Sequence, residues 1–307
     1  DRRVALLGLG LWVFDPFLTG HAGLLHTDAL LAMFSLLTIL FALNGLYGRH
    51  LLIWWPLAGF SAGLALLTKT PGGVLIPFVA SVVACYVLLQ PDSWKRLGIG
   101  LFLLVAGAAV TVFVGYPALW VDAADVFRTT YSFAGKLVEA APRPIFFAGE
   151  MTLDPGPAFY PAVFLFRISP VVLIGVLAGL ASWYRLCPVQ RAVLLTSLGF
   201  AVLFSAGMSL GSKMHDRYLL PAFLPLAPGA ALGISVWIDR LRDRRQPLAI
   251  LQEGQALVVL PIVLQAIIAL TFAARPLTYY NPLLGGPMVA SRILPTGWGE
   301  RWGTVAR

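Results

Sequence analysis

Long apolar runs, separated by short polar or charged segments, dominate the chain. A membrane-spanning helix needs about 20 mostly apolar residues, and none of these runs alternates with the two-residue period of a barrel strand. Because a helix satisfies every backbone group within its own segment, the pattern predicts an all-α, polytopic integral membrane protein. We predict about nine transmembrane helices, over residues 4–20, 29–47, 51–68, 72–90, 98–117, 168–184, 192–210, 218–238 and 248–272.

Two sets of loops alternate between these spans. One set is short and dense in Lys and Arg, which predicts that it is cytoplasmic. The other set is predicted to face outward, and it includes one loop of moderate size over residues 118–167. We therefore divide the chain into a transmembrane domain over residues 1–272 and an outward-facing tail over residues 273–307. The basic set comprises residues 2–3, Arg49, residues 95–96, 185–191 and 240–245.

The composition supports a membrane protein and changes the interpretation of the charge. Hydrophobic residues make up 59% of the chain and charged residues only 12%, whereas a soluble domain carries about 25% charged residues. The formal net charge of +8 would suggest a nucleic-acid partner in a soluble protein. In a membrane protein it indicates the positive-inside bias and contacts with anionic lipids or phosphate, so no nucleic-acid partner is predicted.

The most unusual polar segment places four ionisable side chains almost in succession, Lys213, His215, Asp216 and Arg217, followed by Tyr218. A charge at the bilayer centre costs about 2.5–3.5 kcal/mol, so this segment is expected at the membrane edge or in a wet cavity. If a helix begins early, Lys213 and Arg217 share a face and bind one phosphate. The alternative is interfacial anchoring, which explains one or two such residues better than four.

Two further outward segments carry candidate chemistry. His26 and Asp28 stand just before an apolar run, where Asp28 is either a helix N-cap or a carboxylate that orients a nucleophile or a metal. Lys69 lies in a tight turn with Gly72 and Gly73. It is either a lysine that snorkels from a helix C-terminus or a point charge for a phosphate.

Weaker candidates lie in the outer loop and the tail. Glu150 and Asp154 are loop acids, which are usually solvated. The segments 279–281 and 297–300 combine aromatic residues with Asn and Gly, a composition that suits either sugar stacking or an interfacial belt. Zinc-ligand spacings, a nucleophile elbow, Walker loops and dinucleotide fingerprints are not evident, so no metal site is predicted. His26 and His215 leave a divalent cation open as an alternative.

Four matches to a known family are present: LLHTDALL at 24–31, GLALLTKTP at 63–71, the segment 213–221 that ends in RYLLP, and DPGP at 154–157 with YNP at 280–282 and GWGE at 297–300. Together they resemble the superfamily of dolichyl-phosphate-mannose protein mannosyltransferases and aminoarabinose transferases, the family 39-like GT-C class of membrane glycosyltransferases. Thr70 stands where the family usually has a glycine. The resemblance extends over nearly the whole chain.

The resemblance implies transfer of a sugar from a polyprenyl-phosphate donor to a protein, lipid or glycan acceptor, with inversion at the anomeric carbon. It places the reaction at the extracytoplasmic face of a bacterial cell membrane. Asp28 is then a second, assisting acid, and we expect the catalytic base to lie before Asp1. No cofactor is implied with certainty. The implied donor-binding residues are Lys69, Lys213, Arg217 and Tyr218, and the further candidates are His26, His215, Asp216, Glu150 and Asp154.

Two other classes remain open. A transporter or flippase for a lipid-linked sugar needs polar groups along a path through the bilayer, and the predicted spans offer few of them: Asn44, Glu253 and Gln265. A non-catalytic membrane subunit of a larger complex is the second alternative. The outward face has neither ATP nor nucleotide sugars, so a lipid-linked donor is the natural energy source for an enzyme there.

Overall fold

The computed structural model describes residues 1–24, 26–139, 144–211, 213–243 and 256–296. Helices account for nearly all of its regular structure, which confirms the predicted all-α class. The helices are α1 Arg2–Val13, α2 Pro16–Ala22, α3 Asp28–Tyr47, α4 Leu51–Thr68, α5 Leu75–Leu89, α6 Trp94–Gly115, α7 Ala118–Glu139, α8 Phe159–Arg167, α9 Pro170–Ala181, α10 Pro188–Met208, α11 Leu220–Phe223, α12 Leu226–Asp243, α13 Ala256–Thr271 and α14 Gly286–Ala290.

Within those ranges, five helical segments are long and apolar enough to cross a membrane: α3, α4, α5 with the turn before it, α6 with the turn before it, and α10. Three bent pairs are further candidates, α1 with α2 at 57°, α8 with α9 at 103°, and the segment 216–223 with α12 at 50°. Counting each pair as one span gives up to eight. The predicted number of nine is therefore not confirmed, and the ninth predicted span lies partly outside the described ranges, in residues 248–255.

The segment expected to be an outer loop over residues 118–167 is largely structured. It contains α7, which is kinked where Asp122 leaves the helical region of φ and ψ, and then an antiparallel hairpin of β1 Ile145–Phe147 and β2 Glu150–Thr152. Ala148 and Gly149 both have positive φ at the hairpin turn, as a tight two-residue connection requires. The Ala148 N–H donates to the Ile293 carbonyl oxygen at 2.9 Å, which ties the hairpin to the C-terminal segment.

The residue contacts divide the chain into two compact units. The first unit contains the described residues within 1–26, 142–210 and 214–307. The second unit contains those within 27–141 and 211–213.

In the second unit, α4 packs against both α3 and α6. Gly59 and Gly63, one turn apart on α4, permit the close approach to α6, since a Cβ atom at Gly59 would lie 2.2 Å from the Leu104 carbonyl oxygen. At the end of this unit where α3 finishes, the Arg96 guanidinium donates to the Gly48 carbonyl oxygen. Two of the basic turns predicted to share one side of the membrane therefore meet.

In the first unit, α12 packs against α9, α1 and α10. Small residues again set the closest contact, because a Cβ atom at Gly233 would lie 1.9 Å from the Gly175 carbonyl oxygen. Arg3 Nη1 lies 2.6 Å from Asp239 Oδ1, so the beginning of α1 meets the end of α12. These two ends also belong to the loops predicted to share one side.

The two sharpest chain breaks of the first unit are satisfied by polar side chains. Asp15 caps α2 by accepting the Leu18 N–H at 2.8 Å, and Ser169 caps α9. The Ser169 hydroxyl also donates to Gln265 on α13, whose amide donates to the Leu11 carbonyl oxygen of α1 at 3.4 Å. Interrupted helices at membrane depth need such internal partners because lipid offers none.

Candidate functional site

The second unit brings Asp28 and Lys69 together. Asp28 is the first residue of α3, and Lys69 is the residue that ends α4, with an extended backbone at φ −165° and ψ 142°. Since α3 and α4 are neighbours joined by a short turn, the start of one meets the end of the other. The Lys69 ammonium donates to Asp28 Oδ1. The Asp28 side chain is 3% exposed, whereas that of Lys69 is 32% exposed.

This contact bears on the alternatives for both residues. Thr27, not Asp28, occupies the N-cap position of α3, and it makes no side-chain capping bond. Lys69 does more than snorkel towards water, because its ammonium forms an ion pair with a buried carboxylate. The carboxylate fixes the position of the cation, while about a third of the lysine side chain stays accessible. Such a cation is suited to bind an anion that arrives from solvent or lipid headgroups.

The segment 213–218 does not form the expected early helix. Residues 213–215 are not helical, and a 3₁₀ turn begins at Asp216 and ends at Leu219. The predicted helix face shared by Lys213 and Arg217 was therefore wrong. His215 and Tyr218 pack edge to face with ring centroids 5.3 Å apart, and the Arg217 guanidinium carbon lies 5.5 Å from the Tyr218 ring centroid.

Asp216 binds a residue that the sequence analysis did not single out. Arg167, the last residue of α8, has no exposed side-chain surface, and its Nη2 and Nε atoms lie 2.5 and 3.1 Å from Asp216 Oδ2. Its guanidinium carbon lies 4.7 Å from the ring centroid of Phe17 and 3.8 Å from that of Tyr280. Arg167 Nη1 donates to the Leu277 carbonyl oxygen at 3.1 Å. Arg167 and Asp216 thus form a buried ion pair that is hydrogen-bonded on several sides.

Tyr279, Tyr280 and Asn281 are fully buried, so neither sugar stacking nor an interfacial belt describes them. The Tyr280 hydroxyl accepts a hydrogen bond from Arg167 Nη2 and donates one to the Pro295 carbonyl oxygen, both at 2.9 Å. Burial raises the pKa of Tyr280 to about 12, so the hydroxyl keeps the proton that it donates. These residues form the wall of the Arg167 site.

The remaining candidates are placed separately. Glu150 is exposed in β2, and Asp154 is exposed and accepts the Gly156 N–H at 2.9 Å, so both acids lie at the surface. His26 Nε2 lies 3.1 Å from Nδ1 of the buried His21, a partner that the sequence analysis missed. The part of the chain that the structure describes contains no group of three or more His, Cys, Asp or Glu side chains that could hold a metal ion.

One signal in the sequence pointed to Arg167. It stands directly before the apolar run at 168–184, at the edge of a predicted span, as Asp28 does before its own run. Because it falls inside the presumed outer loop, it reads as an ordinary solvated residue. Three predicted features lie outside the described residues: the basic residues at 244–245, Glu253 and the segment 297–300.

The spans and the ion pairs at helix ends define a polytopic membrane protein with charged sites at the helix termini. Residues 1–120, which include Asp28 and Lys69, match the family model of dolichyl-phosphate-mannose-protein mannosyltransferases. The match agrees with the resemblance inferred from the motifs over this part of the chain, which contains the segments 24–31 and 63–71. Residues 1–120 are therefore similar to a family of membrane glycosyltransferases. No curated protein and no solved structure gives a significant match to the chain.

Proposed function

We propose that the protein is an inverting glycosyltransferase that takes a sugar from a polyprenyl-phosphate donor. The acceptor is a hydroxyl-bearing protein, lipid or glycan at the extracytoplasmic face of the cell membrane. The similarity of residues 1–120 to a family of lipid-phosphate-dependent transferases supports the class of donor. The dense basic loops that meet at one end of each unit support the assignment of the opposite ends to the outer face.

The reaction needs a cation at the leaving group and a carboxylate near the acceptor. The acceptor oxygen attacks the anomeric carbon, the bond from that carbon to the phosphate oxygen breaks, and polyprenyl phosphate leaves with the bonding electrons. Negative charge grows on the phosphate as the bond breaks, so a positioned cation stabilises the transition state more than the ground state. The acceptor proton passes to a carboxylate acting as general base.

The observation that carries this proposal is the ion pair of Asp28 and Lys69. It lies in the segment that matches the transferase family, and it combines a buried carboxylate with a partly exposed cation. We assign Lys69 to the donor phosphate. Asp28 holds Lys69 in place and assists the base, rather than serving as the base itself.

The first unit carries donor-binding candidates of its own, which rest on the sequence resemblance. Arg217 and Tyr218 lie in the 3₁₀ turn after Asp216, and Arg217 supplies a permanent charge for the phosphate. We retain Lys213, in the second unit, as a further phosphate-binding candidate. His26, His215, Glu150 and Asp154 receive no catalytic role.

Sugar transfer is tested in detergent-solubilised protein with a panel of radiolabelled polyprenyl-phosphate sugars and membrane extract as acceptor. We expect the wild type to transfer the labelled sugar to the acceptor and to release polyprenyl phosphate. Lys69→Ala should lower turnover about 100-fold or more, as loss of one transition-state donor does in other enzymes. Lys69→Arg should retain more activity because it keeps the charge, and Asp28→Asn should also be impaired.

The matched control is Lys95→Ala, which removes an exposed lysine from the start of α6, at an end predicted to be cytoplasmic, and should leave turnover unchanged. Near-normal turnover of Lys69→Ala would contradict the phosphate assignment. Movement of an intact lipid-linked sugar across reconstituted vesicles, without release of polyprenyl phosphate, would favour the flippase. Neither transfer nor movement would favour a non-catalytic subunit.

A further inference from the structure

The first unit buries an ion pair that the proposed reaction does not use. We propose that Arg167 and Asp216 are positioning residues that fix the orientation of Arg217 for the donor phosphate. This inference rests on the proposed function, because it concerns the residue assigned there to the leaving group. Its basis is that each carboxylate oxygen of Asp216 accepts hydrogen bonds from a different partner.

Asp216 links a buried cation to the backbone of the adjacent residue. Its Oδ2 atom accepts hydrogen bonds from Nε and Nη2 of Arg167, at 3.1 and 2.5 Å. Its Oδ1 atom accepts the Arg217 N–H at 2.8 Å. The carboxylate therefore holds the first peptide unit of the 3₁₀ turn against a fixed point, and the direction in which Arg217 leaves the backbone follows from that constraint.

Arg167 is itself held on several sides, so it can serve as the fixed point. It donates to the carbonyl oxygens of Leu277 and Tyr279 and to the Tyr280 hydroxyl, and it lies against the ring of Phe17. None of its side-chain surface is exposed. A guanidinium bound in this way has no alternative rotamer without breaking several charge-assisted hydrogen bonds.

Stability alone does not explain the pair. Replacing a buried ion pair by well-packed apolar residues is often neutral or stabilising, because desolvation offsets most of the attraction between the charges. Arg167 balances the charge of Asp216, so the buried carboxylate is not left uncompensated beside Arg217. A buried pair that stabilises little, yet constrains the turn that carries a phosphate-binding residue, fits a positioning role.

The substitution Asp216→Asn tests whether Asp216 must bind Arg167 and the Arg217 N–H at the same time. Asparagine has one acceptor oxygen, so it can accept a hydrogen bond from the Arg167 guanidinium or from the Arg217 N–H, but not from both in the present geometry. Its NH₂ group, which is itself a donor, would point at the donor that the oxygen does not bind. We expect this variant to weaken binding of polyprenyl phosphate, and to raise the donor KM, by about tenfold or more with a smaller change in kcat. Arg217→Ala should have an effect of at least the same size.

The decisive measurement is the double variant Asp216→Asn/Arg217→Ala. If Asp216 acts through Arg217, the double variant binds polyprenyl phosphate no more weakly than Arg217→Ala alone, because the two effects are not additive. A merely structural role predicts additive losses, or a lower Tm with an unchanged Kd for the folded fraction. Asp239→Asn, which breaks the exposed ion pair with Arg3, is the matched control and should change neither the Kd for polyprenyl phosphate nor the Tm.

The outcomes distinguish this inference from the proposed function. If Arg217→Ala weakens binding of polyprenyl phosphate relative to the wild type, but Asp216→Asn binds normally or the double variant binds more weakly than Arg217→Ala, the positioning role is wrong and the function stands. If the wild type neither binds polyprenyl phosphate nor transfers sugar, the proposed function fails, and this inference with it. Should Asp216→Asn not fold, Arg167→Lys with and without Arg217→Ala provides the same test, since lysine keeps the charge but not the two-donor geometry.

Discussion

Arg167 carries a permanent positive charge into a site with no exposed side-chain surface. Such a charge is tolerated only when it is paired and hydrogen-bonded, and Asp216, two carbonyl oxygens and the Tyr280 hydroxyl meet that requirement. Asp28 and Lys69 differ in this respect, because only the carboxylate is buried and the cation keeps access to the surroundings. The buried pair of Arg167 and Asp216 is therefore suited to positioning, whereas the partly exposed Lys69 is suited to binding an anion.

The buried pair leads to a prediction about stability. Arg167→Met should lower the free energy of unfolding by about 3–5 kcal/mol, because it leaves Asp216 as an uncompensated buried charge. The double variant Arg167→Met/Asp216→Leu should recover much of that loss, yet it should not recover polyprenyl-phosphate binding. Thermal or denaturant unfolding in detergent measures the first effect. A double variant as unstable as the single variant would contradict this account.

At the residue scale, part of the candidate site was accessible from the sequence. Asp28 and Lys69 stand out because charged residues beside apolar runs are costly unless they serve a purpose. Arg167 did not stand out, because it was assigned to a solvated loop, where an arginine needs no partner. Tyr279 and Tyr280 were misread because aromatic side chains suit a sugar site, an interface and a core equally well, and only burial distinguishes these environments.

Helix contacts in both units depend on glycines. Lipid is as apolar as leucine, so helices in a membrane gain from close packing rather than from hydrophobic burial, and small residues permit that packing. Gly59 and Gly63 serve α4 against α6, and Gly175 and Gly233 serve α9 against α12.

A pair of glycine substitutions tests this packing. Gly59→Ala should destabilise the protein by about 1–3 kcal/mol, because the added Cβ would lie 2.2 Å from the Leu104 carbonyl oxygen. Gly98→Ala on α6 is the control, since nothing lies within 4 Å of a Cβ there and alanine favours a helix over glycine. The Tm values in detergent should move in opposite directions. Equal shifts would show that the helix contact is looser than described.

Helix existence was more predictable than helix continuity. The apolar runs located α3 to α6 and α10 well, but the predicted span over 168–184 is in fact part of a bent pair that begins at Phe159 and turns by 103°. Ser169 and Pro170 mark the break, but the hydropathy pattern does not predict the angle between the two helices. Helix α7 was missed because it mixes charged with apolar residues, as a helix with only one apolar face does.

At the scale of the whole molecule, the alternation of loops leads to a prediction about orientation. Within the first unit, we assign Asp154 to the outer side and the exposed Cys187 to the cytoplasmic side. In a Cys85→Ser background, a membrane-impermeant thiol reagent added to intact cells should label Asp154→Cys and spare Cys187. Permeabilised cells should show labelling of both positions. Labelling of both residues in intact cells would overturn the assigned orientation.

The sequence by itself determined the helical class, the approximate course of most spans and the charged residues that end them, because the cost of exposing backbone and charge to lipid acts locally along the chain. Only the tertiary structure decided which of those residues meet. Asp28 and Lys69 are 41 positions apart, and Arg167 and Asp216 are 49 positions apart. Such pairings depend on how helices bend and pack, and these are set by contacts between distant segments rather than by the pattern within any one of them.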